Sequence, residues 1–133
     1  MGEFPEHLFV YGTLMEPEVL RRLLGHVLEM RPAVIRGYRR FRVRNAVYPG
    51  IVAASPESST TGKILSGLLE SDWKTLDAFE GDEYERLLVE TSLESGETIP
   101  AATYVFRDPA NLTDELWDRK ATLKSLRELG LED

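Results

Sequence analysis

Glu80 stands where a carboxylate is costly. On a helix, Trp73, Leu76 and Phe79 share one apolar stripe, and at 100° per residue Glu80 lies roughly 40° from its centre. A carboxylate facing a core needs a partner, and the last turn of a helix disfavours negative charge. Both effects raise a carboxyl pKa, the condition for accepting a proton near neutral pH. The plainer alternative is that Glu80 ends its helix with its head in water. Asp77, Glu83 and Glu85 nearby read as solvated acids. A second feature is Tyr11-Gly12-Thr13-Leu14. Gly12 permits close backbone approach, and the helix that follows directs N–H groups at a carboxylate guest. The alternative here is a simple strand-to-helix turn.

The elements that must carry these groups are legible in outline. His7 to Tyr11 is a short apolar strand, and Pro17 to Gly25 has helix signals at both ends: proline at the start, acids first, arginines later. Ala33 to Ala54 reads as strands, with Arg40, Arg42 and Arg44 on one outward, solvated face and a turn at Asn45-Ala46. Pro49 marks an edge or bulge. Ser55 to Thr61 is a polar loop and Lys63 to Leu69 a strand. Ser71 caps a helix from Asp72 to Glu80 that Gly81 stops. Tyr84 to Leu93 and Thr98 to Phe106 form a hairpin through Glu94-Ser95-Gly96-Glu97. A charged helix runs from Thr113 to about Leu129, carrying Leu116, Trp117, Leu123 and Leu126. Strands and helices that do not alternate strictly indicate an α+β fold, a curled sheet or barrel with helices outside.

Composition narrows the chemistry. The 133 residues suit one domain, 1–133, and 42% hydrophobic with 29% charged residues is a soluble balance. Apolar runs are too short to span a bilayer, and the first residues lack the basic and apolar regions of a secretory signal, so a cytoplasmic protein is expected. A net charge of −7 opposes non-specific nucleic-acid binding. With no cysteine, thiol nucleophiles and thiolate metal sites are excluded. His7 and His26 are too few for a multi-histidine metal site and read as incidental.

Phe9-Val10-Tyr11-Gly12-Thr13-Leu14 resembles the N-terminal signature of the γ-glutamylcyclotransferase superfamily. Leu76-Asp77-Ala78-Phe79-Glu80-Gly81 with Tyr84-Glu85-Arg86 is similar to its second signature, and Tyr48-Pro49-Gly50 and Ala102-Thr103-Tyr104-Val105 also match in order. Met15-Glu16-Pro17-Glu18-Val19-Leu20 is most like the avirulence-induced-gene-like branch. The similarity runs from about Phe9 to Phe106. It implies a small, largely antiparallel mixed barrel with helices outside and a cavity for substrate. It also implies that Glu80 is the proton acceptor and that Tyr11, Gly12, Thr13, Leu14, Met15 and Glu16 bind the substrate's amino-acid head. The implied reaction cyclises a γ-glutamyl amide to 5-oxoproline with release of an amine. The nucleophile is the substrate's own α-amine, so no metal or organic cofactor is needed.

Tyr84 and Tyr104 are either cavity hydroxyls or packing. Arg86 pairs a substrate carboxylate or Glu80. The expected partner is a small γ-glutamyl molecule, with no nucleic acid and no membrane, and the chain is a monomer or loose homodimer. A non-catalytic binder of a small carboxylate metabolite in the same cavity is the alternative function. An interaction module using the acidic C-terminal helix is a third.

Overall fold

The computed structural model describes residues 5–26, 28–44 and 49–113. The expected Asn45-Ala46 turn, Val47, Tyr48 and the helix beyond Thr113, with Leu116, Trp117, Leu123 and Leu126, lie outside the described residues. Among the described residues, seven strands and two α-helices follow in order: β1 (His7–Val10), α1 (Pro17–Leu24), β2 (Glu29–Arg36), β3 (Tyr38–Arg42), β4 (Pro49–Ala53), β5 (Ser59–Ser66), α2 (Glu70–Glu80), β6 (Tyr84–Leu93) and β7 (Thr98–Phe106). Five strands close a mixed barrel in the order β1-β5-β2-β6-β7, and β3 pairs with β4 in a separate ribbon. All barrel pairings are antiparallel except β1 with β7, which run parallel with Leu8 opposite Ala102.

Strand alternation divides the core into two layers. Phe9 and Tyr11 of β1 and the β1–α1 loop pack with Ala33, Ile35, Ile64 and Ala101 inside the barrel. Leu8 and Val10 face the other way, joining Leu65, Ala102, Tyr104 and Phe106 under Leu20, Trp73 and Leu76 of the helices. Both faces of β1 are therefore covered, which is why it reads as an unbroken apolar run. Gly37 separates β2 from β3: its φ of 85° is a left-handed conformation that a β-branched residue resists. There the chain leaves the barrel, and the β3–β4 ribbon folds across its end with Arg40 opposite Ile51.

The hairpin strands β6 and β7 fall where the alternation puts them. Three elements have shifted boundaries. β2 begins at Glu29, ahead of Ala33, because its first residues pair with β5 from Ser66 inward. β5 begins at Ser59, inside the expected polar loop, for the same pairing, and stops at Ser66 rather than Leu69. Helix α2 starts at Glu70, so Ser71 is not its cap. Asp72 does that work instead, accepting the Leu69 N–H at 2.9 Å.

Candidate active site

The strand register gathers one end of the barrel. β1 runs parallel to β7, so Tyr11, just past the end of β1, comes level with the last residues of β7. β6 starts opposite that point, with Tyr84 paired to Phe106 and Arg86 to Tyr104. Helix α2 delivers its C-terminus to the start of β6 through the short 3₁₀ turn Gly81–Glu83. Glu80, Tyr84, Arg86, Tyr104 and the Tyr11 loop thus belong to one end, although Tyr11 and Glu80 are far apart in sequence.

Tyr11 is buried, and its hydroxyl donates a short hydrogen bond to the main-chain carbonyl of Tyr104. Burial, and next the Glu80 carboxylate, push its phenol well above the ordinary tyrosine value, while the Ile51 N–H acts in the opposite direction. Beyond it, Thr13–Met15 form a 3₁₀ turn. The Met15 N–H bonds the Gly12 carbonyl at 3.0 Å, and the Glu16 N–H bonds that of Thr13 at 3.1 Å. Met15 and Glu16 are therefore not available as main-chain anion donors. The N–H groups of Gly12, Thr13 and Leu14 make no main-chain hydrogen bond among the described residues. Leu14 points its side chain into the core, and Thr13 and Met15 are half-buried. Gly12 has to be glycine here, since a Cβ would stand 2.7 Å from Pro49 Cγ.

On α2, Trp73 and Leu76 are fully buried while Phe79 is 47% exposed. The expected three-residue apolar stripe is thus two residues wide. At about 100° per residue, Glu80 falls between the directions of Trp73 and Leu76, and Phe79 lies roughly 90° away. Glu80 is accordingly the residue that extends the buried face. It keeps some exposed surface, but burial first and the neighbouring Glu83 carboxylate second raise its pKa from 4.5 to about 7. Glu80 in turn contributes to the raised pKa of both Tyr11 and Tyr104, so its charge lies within electrostatic reach of both barrel strands.

Tyr104 is buried, and its hydroxyl donates to Asp77 Oδ1 at 2.7 Å. Arg86 Nη2 stands 3.6 Å from Asp77 Oδ2, and its guanidinium carbon lies 4.8 Å from the centre of the Trp73 ring. Arg86 therefore pairs with Asp77, not with Glu80. Tyr84 is buried against Phe106, and its hydroxyl donates to the Pro49 carbonyl at 2.7 Å, which ties β6 to the β3–β4 ribbon. No three His, Asp or Glu side chains among the described residues are grouped to hold a metal ion.

The profile of the family described as gamma-glutamyl cyclotransferase, AIG2-like, matches residues 8–122. The chain belongs to this family. AIG2-like protein C of Arabidopsis thaliana is 40% identical over 120 residues, covering 88% of this chain and 69% of that protein. The solution structure of another Arabidopsis thaliana protein superposes with a TM-score of 0.74 at 29% identity, covering 97% of this chain and 91% of that one. A solved gamma-glutamyl cyclotransferase shares the fold, with a TM-score of 0.70 at 16% identity over 96% of this chain and 82% of its own. Among the described residues no helix is long and apolar enough to cross a membrane.

Three residues that this AIG2-like chain uses are absent from the sequence-based site. Arg40 is half-buried rather than outward: its Nη1 donates to the Tyr11 carbonyl at 2.6 Å and the Thr61 carbonyl at 3.2 Å. Burial pulls its pKa below the ordinary arginine value. Alternation failed there because the β3–β4 ribbon folds over the barrel end, which gives its outer-facing residues a second surface. Asp77 holds Tyr104 and Arg86 and is not merely solvated. His26 is not incidental either, since its Nε2 lies 3.0 Å from both oxygens of the buried Asp72, joining the end of α1 to the start of α2. Asp72 beside an N-terminal helix boundary was the one readable signal for that pair.

Proposed function

We propose that this AIG2-like protein is a metal-independent γ-glutamylcyclotransferase, with Glu80 as proton acceptor and the main-chain N–H groups of Gly12, Thr13 and Leu14 as anion donors. One observation carries the reading: a carboxyl group raised to about 7 lies at the same barrel end as a turn whose Gly12, Thr13 and Leu14 N–H groups make no main-chain hydrogen bond among the described residues. Such a carboxyl is matched to removing a proton from an ammonium at neutral pH.

The substrate is a γ-glutamyl amide. Its α-ammonium gives a proton to Glu80, and the free amine attacks the γ-carbonyl carbon to close a five-membered ring. The C–N bond to the leaving amine then breaks, that nitrogen takes the proton back from the protonated carboxyl of Glu80, and the ring nitrogen releases its second proton to solvent. The products are 5-oxoproline and a free amine. Because nucleophile and electrophile belong to one molecule, positioning supplies much of the rate, on the order of 7–11 kcal/mol in the best intramolecular cases. The Gly12–Leu14 N–H groups hold the α-carboxylate or the oxyanion of the tetrahedral intermediate, where donors fixed in advance act most strongly.

The test is direct. Purified protein is incubated with γ-glutamyl-amino acids, γ-glutamylamines, a γ-glutamyl-lysine isopeptide and glutathione, and 5-oxoproline is assayed. Turnover of one class supports the enzyme. Melting shifts with such compounds but no 5-oxoproline would instead identify a non-catalytic carboxylate binder.

A further inference from the structure

We propose that Asp77 is a positioning residue for Glu80: by holding the Tyr104 hydroxyl and the Arg86 guanidinium, it keeps both donors from the Glu80 carboxylate. This rests on the reading of Glu80 as proton acceptor.

The geometry is that of an interception. Asp77 and Glu80 are three residues apart on α2, so their Cβ atoms are neighbours at about 5–6 Å. From β7, the Tyr104 hydroxyl reaches Asp77 at 2.7 Å, and from β6, Arg86 reaches it at 3.6 Å. Trp73, one turn earlier on the same helix, supports the Arg86 guanidinium by its ring face. Both donors thus end on Asp77, and Glu80 acts electrostatically on the Tyr104 phenol within the same cluster. A carboxylate that gains a hydroxyl or guanidinium partner becomes a weaker base, because the partner stabilises its charged form. Asp77 spares Glu80 that loss.

Among the described residues, Tyr11 after β1, Tyr104 on β7 and Glu83 in the turn after α2 interact electrostatically with Glu80, and Arg86 on β6 and Asp77 on the same helix join this group through Tyr104. Arg40 on β3 lies behind Tyr11. Arg86 and Arg40 are the two cations in this set, and each is engaged away from Glu80: Arg86 with Asp77, Arg40 with main-chain carbonyls. Of these groups, the Glu83 carboxylate favours the protonated form of Glu80.

Carboxyl-carbon NMR titration of glutamate-labelled protein reads Glu80 without needing turnover, its signal identified by its loss in Glu80→Gln. Asp77→Asn leaves Tyr104 an oxygen to bond but removes the charge that holds Arg86; Asp77→Ala removes both. The Glu80 midpoint is expected to fall by about one pH unit or more in Asp77→Asn, tenfold in proton affinity, and further in Asp77→Ala. Asp77→Glu should keep the wild-type midpoint, and adding Arg86→Gln to Asp77→Asn should restore it to within about half a unit. An unchanged midpoint in Asp77→Asn and Asp77→Ala overturns the proposal. So does a fall that Arg86→Gln does not reverse, since that is only the loss of Asp77's own charge. On any amide the protein turns over, the acid limb of kcat/KM should move with the titration. A wild-type protein that makes no 5-oxoproline removes the enzyme reading, whereas the Glu80 midpoints still decide whether Asp77 intercepts the two donors.

Discussion

The hydroxyl of Tyr11 ends on the main-chain carbonyl of Tyr104, a bond joining residues 93 apart in sequence. It fixes the entry to the 3₁₀ turn against the final barrel strand, and so sets where the Gly12–Leu14 N–H groups point. Tyr11→Phe keeps the ring in its core but leaves a buried carbonyl without this donor. The expected cost is about 1–2 kcal/mol of stability in denaturant unfolding. If turnover depends on the turn's placement, KM should rise more than kcat falls. A Phe variant as stable as wild type would show the bond to be dispensable.

Glu80→Gln keeps shape and removes the base. Cyclotransferase turnover should drop roughly 10²–10⁴-fold with substrate binding largely retained, as general-base loss predicts. Stability should move the other way. Glu80 titrates near 7 in the folded chain against 4.5 ordinarily, so between those values the native state binds the extra proton. Wild-type stability therefore falls as pH rises through that window, and the penalty is complete above about pH 7. Melting curves of the two proteins should coincide near pH 4 and separate above neutrality, with Gln higher by about 1–2 kcal/mol after allowing for partial solvent contact. Equal melting points at pH 8 would contradict the raised pKa.

Gly12→Ala tests the close packing beneath the turn. The new methyl would meet Pro49 Cγ at 2.7 Å, so the turn or the ribbon must shift. Overpacking of this kind costs about 1–3 kcal/mol. Substrate affinity should fall in the folded fraction, measured by ligand-induced melting shifts, because the N–H donors move with the turn.

Arg40→Met removes the guanidinium from the Tyr11 and Thr61 carbonyls while filling similar space. A loss of about 1–3 kcal/mol is expected for hydrogen bonds made by a charged donor. Binding of a carboxylate ligand should weaken more steeply than kcat changes, since Arg40 acts through the turn it holds by the Tyr11 carbonyl. Isothermal titration with 5-oxoproline separates the two: unchanged affinity would assign Arg40 a purely structural part.

Much of this was legible because local signals agreed with the tertiary result. Pro17 opens α1, the Glu94–Glu97 turn joins β6 to β7, and Tyr84–Leu93 and Thr98–Phe106 are strands as alternation requires. Glu80 stood out as a carboxylate near an apolar face, and it does lie on the buried side. Most of what failed had a partner brought from elsewhere in the chain; Phe79 is the exception. Phe79 is apolar by type but turns outward, because Trp73 and Leu76 alone define the face that α2 buries. Asp77 is as acidic as Glu83 by type, and only the arrival of Tyr104 from β7 makes it structural. Asp72 displaced Ser71 as the cap because it also meets His26 across the helix pair.

The parallel contact of Leu8 with Ala102 has a kinetic consequence. β1 is the first strand and β7 the last, so the barrel cannot close until nearly the whole described chain is in place. Bringing such distant segments together costs loop entropy before any contact repays it, and topologies of this kind fold slowly. Until then β1 has only β5 beside it, and its apolar run is open on one edge. The turn that follows Tyr11 has no carbonyl from Tyr104 to rest on in that interval. Closure of the barrel and assembly of the site are a single late event, and amide exchange at Thr13 and Leu14 should report on the same opening that unzips β1 from β7.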